Sequence, residues 1–308
     1  MQARELTENQ ILMACISAHG IGKPGGVVGI PGIDCLGLLP GTVKEYSGGI
    51  NQIDACYVAE TAGSILLAFR GTDGLPMGGS AAQNLHGGLD WLNNLKAEPI
   101  VAAGFPGKVH RGFHQSVIHL AGAGFVDDIK ARLGRGKKQL VITGYSKGAA
   151  LAPLASWLLR SQGIAVDELH FYEPPRCGDA DFASAFADAF PHAVRYEYQD
   201  DIVPHVPPTR SEFAVLDKST LLAGILLAMY PDYKEWNYVP VGALRYANWE
   251  NAFVPDSAAL EIKRMAKIAA AFAEPPHTAP GSEHMPKGHL FDVVKQHFGG
   301  DCTCPSAQ

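Results

Sequence analysis

The chain has 308 residues, of which 47% are hydrophobic and 18% charged, with a formal net charge of -6 and a pI near 6.0. That length supports a large buried core, and the acidic balance excludes nucleic acid as a partner because no basic surplus exists to neutralise phosphates. The opening MQARELTENQ lacks a basic region leading into an apolar run, and the most apolar stretch, TLLAGILLAMY, is too short to cross a bilayer. The expectation is therefore no signal peptide, no transmembrane segment and a cytoplasmic location by default, although secretion without a signal would leave no mark here. In that setting the six cysteines (Cys15, Cys35, Cys56, Cys177, Cys302 and Cys304) read as reduced thiols, with Cys302 and Cys304 in a solvated tail.

Thr7 and Gln10 predict a capping box opening a helix that Gly20 ends, and the Gly- and Pro-rich stretch to about Gly49 reads as loop. DACYVAETAGSILLAFRGTD gives two strands around a turn at Ala62 and Gly63, the second ending at Arg70. Residues 74–109 are weakly patterned apart from the short amphipathic LDWLNNL, and a segment of that kind inside a domain is usually functional. Apolar residues at helical spacing (Phe113, Val117, Leu120, Ile129, Leu133) predict a helix from Gly112 to Leu133, stopped by Gly134. QLVITG is a strand buried on both faces, a helix follows from Lys147 to Leu159, and ELHFYEPP, ADFASAFADAF and HAVRYEYQD continue as strand, helix and strand. An apolar helix near Leu221–Met229, a strand near Tyr238–Tyr246, the helix SAALEIKRMAKIAAAFA and a last helix after His289 complete one α/β domain over residues 1–308. Alternating strands and helices predict a mostly parallel sheet covered on both faces.

The stretch LVITGYSKGAALA sets Ser146 between Gly144 and Gly148, at the junction of a strand and a helix. A serine at the tip of such a turn is strained, and side chains two residues before and after it would collide with the neighbouring helix and strand. Its hydroxyl would sit over a helix N-terminus, whose N–H groups favour developing negative charge. Serine needs a base, and the base needs an orienter, in the chain order Ser, acid, His. Asp200 and Asp201 stand at the carboxyl end of a predicted strand, and His205, His277, His284, His289 and His297 lie beyond them. His289 is in a loop just ahead of the final helix, which suits a residue that must reach Ser146. The pair His110 and His114, four apart, has metal-ligand spacing but no accompanying glutamate, and reads as structural.

In LLAFRGTD, DWLNNL, KVHRGFHQSV, VITGYSKGAALA, YEPPRCGDADFA and DDIVPHVPP the chain resembles the class 3 lipases of the α/β-hydrolase superfamily, from about Asp54 to Pro208 and again near His289. The resemblance implies an α/β-hydrolase fold and a triad of Ser146, Asp201 and His289, with Asp200 and His284 as the weaker alternatives. It implies an oxyanion hole of Thr72 and the N–H of Lys147, and a lid at about 74–92 with Leu75, Met77, Leu85, Leu89 and Trp91 facing an acyl chain. No metal or organic cofactor is implied; the expected partner is a lipid or small ester, met at a lipid–water interface or in solution. The family usually has His and Leu beside the serine, where this chain has Tyr145 and Lys147. The Lys147 ammonium is expected to point to water, or else to lend positive potential to the oxyanion. Pro153 is expected to kink the helix after the serine. The implied activity is ester hydrolysis of lipase type, with phospholipase A1, feruloyl or short-chain esterase on the same triad as alternatives, and a non-catalytic acyl- or protein-binding member as the rival of another class.

Overall fold

A computed structural model describes residues 6–72, 97–216, 224, 227, 228, 230–273 and 290–303. Its first strands are β1 (Lys44–Gly48), β2 (Asp54–Glu60) and β3 (Ser64–Phe69), an antiparallel run whose last turn spans residues 61–63. β1 was expected as loop; only its Tyr46 points inward, so pairing with β2 creates the strand and no apolar alternation announces it. The strands β4 (Pro99–Val101) and β5 (Lys108–His110) come next, then β6 (Gln139–Tyr145), β7 (Glu168–Tyr172), β8 (Gly178–Asp179), β9 (Val194–Tyr198), β10 (Tyr238–Val239), β11 (Ala243–Ala247) and β12 (Phe253–Val254). Eight of them form one sheet in the order β1-β2-β3-β6-β7-β9-β11-β12, parallel from β3 to β11. The other four make a small antiparallel sheet, β10-β8-β5-β4.

The two-residue period of the strands divides the core. Cys56, Val58, Ile65, Leu67, Phe69, Leu140 and Ile142 face one layer, while Ala55, Tyr57, Ala59, Leu66, Ala68 and Val141 face the other. The first layer holds the helices that follow the strands and the second holds the two ends of the described chain. α1 (Glu8–Ser17) packs in the second layer, behind β6, and carries the expected capping box at Thr7 and Gln10. In the first layer lie α2 (Arg111–Gly122), α3 (Phe125–Leu133), α4 (Lys147–Ser161) and α5 (Ala180–Ala189). Then come α6 (Arg210–Leu216), α7 (Tyr233–Trp236), α8 (Ala258–Ala273) and α9 (Phe291–Phe298), the last against α1.

Two expectations about elements change. The helix expected from Gly112 to Leu133 is two helices, because Gly124 takes φ 101°, a conformation that ends one helix and starts another. The strand expected near Tyr238–Tyr246 is split between the two sheets around Gly242 at φ 84°. Pro153 lies inside α4, and the apolar stretch 221–229 lies largely outside the described residues.

The cysteine expectation is overturned as well. Cys35 and Cys302 form a disulfide with a Cα–Cα separation of 5.2 Å, across 267 positions of chain. Cys302 is fully buried, its N–H donating to Asn9 Oδ1 (3.0 Å) and its carbonyl accepting from Lys295 Nζ (2.7 Å). Sequence distance hid this pairing, since only the packing of α9 on α1 brings the two thiols together. Cys15, Cys56 and Cys177 are free and buried, and Cys304 lies outside the described residues.

Candidate active site

β6 ends at Tyr145 and α4 begins at Lys147, so Ser146 alone makes the corner, at φ 54° and ψ -125°. A left-handed backbone costs an L-residue about 1–2 kcal/mol, and it persists only where the surroundings enforce it. Here the two glycines permit the approach that does so. A Cβ on Gly144 would lie 2.2 Å from the Gly148 carbonyl, and one on Gly148 would lie 2.3 Å from the Phe69 carbonyl of β3. The sequence expectation of collisions with helix and strand therefore describes the backbone as it is. The N–H of Lys147 opens the first turn of α4, at the positive end of the helix dipole. Thr72 is half-buried three residues beyond β3, whose Phe69 pairs with Gly144, so the two strand ends lie side by side.

The same corner recurs on the neighbouring strands. Ser146 follows β6, Glu173 follows β7 and Gln199 follows β9, at φ 54°, 50° and 42°. In each, the corner N–H donates to a carbonyl of the next strand at 2.9 Å: Ser146 to Tyr172, Glu173 to Tyr196, and Gln199 to Ala247. The acids Asp200 and Asp201 come directly after the third corner.

Those two acids have different surroundings. Asp201 is completely buried, and its Oδ1 accepts the Val203 N–H at 2.9 Å. The phenol of Tyr145 lies near it: burial, Glu173 and Asp201 all push that phenol up. Asp200 is turned away, its Oδ2 accepting the Trp249 indole N–H at 2.9 Å. Below the acids, Glu197 is gripped by Arg195 (2.7 Å) and Arg264 (2.6 Å); although burial opposes its charge, the two guanidinium groups hold it down at about 2. His205, four residues after Asp201, is also buried, and its Nδ1 meets Glu212 Oε1 at 2.5 Å while Arg176 engages the same oxygen. It serves the acid loop as a brace.

Lys147 corrects both readings of its ammonium. The side chain is 1% exposed and runs into the interior, where Nζ bonds Asp54 Oδ1 at 2.6 Å. Burial lowers its proton affinity and Asp54 restores only part of it. For Asp54, burial opposes charge, but Lys147 with hydrogen bonds from Ser116 and His119 holds the carboxyl below the usual range. The residue thus gives its backbone to the serine corner and its charge to the packing of α4 on β2.

His289, His284 and the expected lid residues Leu75, Met77, Leu85, Leu89 and Trp91 lie outside the described residues. His110 caps α2, its Nδ1 accepting the Phe113 N–H at 3.3 Å, and burial pushes it down to about 3, in keeping with a structural role. Two residues escaped sequence reasoning. Asp54 opens β2 ahead of the buried run Ala55–Ala59, and Glu173 stands at the carboxyl end of a buried parallel strand, one strand from Ser146. A charged residue in either place is a signal that could have found it.

Residues 66–211 match the family model of the class 3 lipases, a segment that contains the serine corner, the acid loop and the strands between. This segment belongs to the class 3 lipase family. Curated relatives agree: the secreted mono- and diacylglycerol lipase 1 of Fusarium solani is 33% identical over 105 residues, 32% of this chain and 30% of that one. The secreted mono- and diacylglycerol lipase A of Penicillium cyclopium is 38% identical over 69 residues, 22% of each chain. The matched segments thus span less than a third of either relative's length. Among solved structures, the Rhizomucor miehei lipase propeptide complex superposes with a TM-score of 0.59 at 19% identity, covering 97% of this chain and 85% of that one. A triacylglycerol lipase described as having a serine protease triad gives 0.56 at 19% identity, covering 77% and 78%. The fold is that of the fungal lipases, an α/β fold with a mostly parallel central sheet.

Proposed function

We propose that this class 3 lipase hydrolyses carboxylic esters of acylglycerol type through an acyl-enzyme on Ser146. The observation that carries the reading is the corner itself: a serine kept in a left-handed conformation above a helix N-terminus, with buried Asp201 two strands away. In this reading His289 takes the Ser146 proton as the hydroxyl attacks the ester carbonyl, and Asp201 orients the imidazole. The Lys147 N–H and Thr72 stabilise the tetrahedral oxyanion, and loss of one such donor typically costs ~10²–10³ in rate. The imidazolium then protonates the leaving alcohol, and water repeats the sequence on the acyl-enzyme. Asp201 is preferred to Asp200 because Asp200 is already committed to Trp249. Segment 74–92, with Leu75, Met77, Leu85, Leu89 and Trp91, is assigned the acyl chain.

The names of the curated relatives favour acylglycerols over phospholipid, feruloyl or soluble short esters. Those relatives are secreted, and the Cys35–Cys302 disulfide supports the same for this chain, because such bonds persist in oxidising compartments. Ser146→Ala is expected to lower turnover of a p-nitrophenyl ester by ~10⁶. A fluorophosphonate should label Ser146, whereas a purely binding protein would be inert to it. A series of mono-, di- and triacylglycerols of graded chain length, with and without an oil–water interface, separates the ester classes. Full activity in the alanine variant would refute the assignment.

A further inference from the structure

Glu173 occupies the middle corner, between that of Ser146 and that leading to Asp201. It is completely buried, its backbone is left-handed at φ 50°, and neither carboxyl oxygen meets an N–H or O–H donor among the described residues. Two costs therefore meet at one residue: backbone strain, and a carboxyl removed from water with no donor to satisfy a charge on it. Glycine would avoid both.

The groups around it explain the form it takes. The carboxyls of Asp201 and Glu197 and the Arg264 guanidinium act on it, and the phenols of Tyr145 and Tyr246 stand close by. Arg264 directs its Nη1 to Glu197 instead, at 2.6 Å. Burial first, then the neighbouring Asp201, drive the Glu173 carboxyl well above its usual range, against a weaker pull from Arg264. Two like charges side by side in a dry site cannot both ionise readily, so the pair retains a proton.

We propose that Glu173 is a positioning residue: as a neutral carboxylic acid it donates its O–H to the Asp201 carboxylate, so that the two side chains carry one negative charge between them. The proposal rests on the reading of Asp201 as the orienting acid. Asp201 is then held from two sides, by the Val203 N–H and by the Glu173 O–H, with lone pairs left to accept from an imidazole. The proton stays on Glu173 throughout the reaction. Ionisation of Glu173 as pH rises would place a second charge beside the first and re-aim Asp201, giving kcat/KM an upper pH limit.

Two variants and three readouts test this. Glu173→Gln keeps a neutral donor; Glu173→Gly removes the side chain and the backbone strain together. Infrared spectra of the wild type at neutral pH should show a protonated-carboxyl stretch that Glu173→Gln lacks. Glu173→Gly should lose about tenfold or more in kcat, the worth of a hydrogen bond to a charged group, with KM little changed. Glu173→Gln should recover most of that rate and lose the upper pH limit. A wild-type spectrum without the band, or a folded Glu173→Gly enzyme with wild-type kcat and pH profile, overturns the proposal. Fluorophosphonate labelling of Ser146 separates the two readings: without labelling, ester hydrolysis fails, and the infrared band still decides where the proton sits.

Discussion

Replacing Lys147 by Leu, the residue usual in the family, isolates the side chain from its backbone donor. In the folded protein Nζ lies 2.6 Å from Asp54 Oδ1, and the two side chains are 1% and 4% exposed. Removing one partner of a buried pair typically costs about 3–5 kcal/mol, because the other charge is left in the interior. Asp54 keeps Ser116 and His119, so the lower end, about 3 kcal/mol, is expected. With Asp54→Asn added, no charge remains, and the double variant should return to within about 1 kcal/mol of wild type, as buried pairs replaced whole often do. Urea unfolding followed by tryptophan fluorescence measures each corner of this cycle. The pH dependence has a defined sign. In the wild type Asp54 is held below its ordinary value, so its contribution is present above that value and fades as pH falls through the lowered one. In Lys147→Leu the carboxyl takes up a proton more readily, so the gap between variant and wild type is widest at neutral pH and narrows in acid. Equal stability of Lys147→Leu and wild type at neutral pH, or a double variant no better than the single, would refute the reasoning. Labelling of Ser146 should survive, since residue 147 keeps its N–H.

Replacing Cys35 and Cys302 by Ala opens a loop set by their 267-position separation; chain entropy puts the loss at about 6 kcal/mol at most, read as a fall in melting temperature that reductant mimics in the wild type. Glu197, kept at about 2 by Arg264 and Arg195 despite its burial, should contribute stability that is complete above the ordinary carboxylate range and is lost as pH falls toward 2. Arg264→Met should weaken that acid-range dependence, measured by urea midpoints from neutral to acid pH.

Local pattern carried most of the fold. QLVITG, SILLAF and ELHFY are apolar runs bounded by turn residues, and each is a strand of the parallel sheet. Ser146 was legible because its two glycines are needed for backbone approach, a requirement written within five residues. What escaped depends on partners remote in sequence. β1 is a strand only because β2 lies beside it, and Cys35 meets Cys302 only after α9 docks. Lys147 looked like a surface charge because its counter-ion, Asp54, stands 93 positions earlier. Glu173 was absorbed into a strand, although a carboxylate at that end of a buried strand is out of keeping with its neighbours.

The threefold repeat of the corner separates what can vary from what cannot. Each bend is fastened by one main-chain bond to the adjoining strand, so the directions in which Ser146, Glu173 and the acids leave the sheet are set before any loop begins. Insertions or exchanges farther along those excursions alter what surrounds these side chains without changing their aim. Relatives that retain few of the same amino acids can therefore keep one chemical layout while diverging in the substrates their outer segments admit.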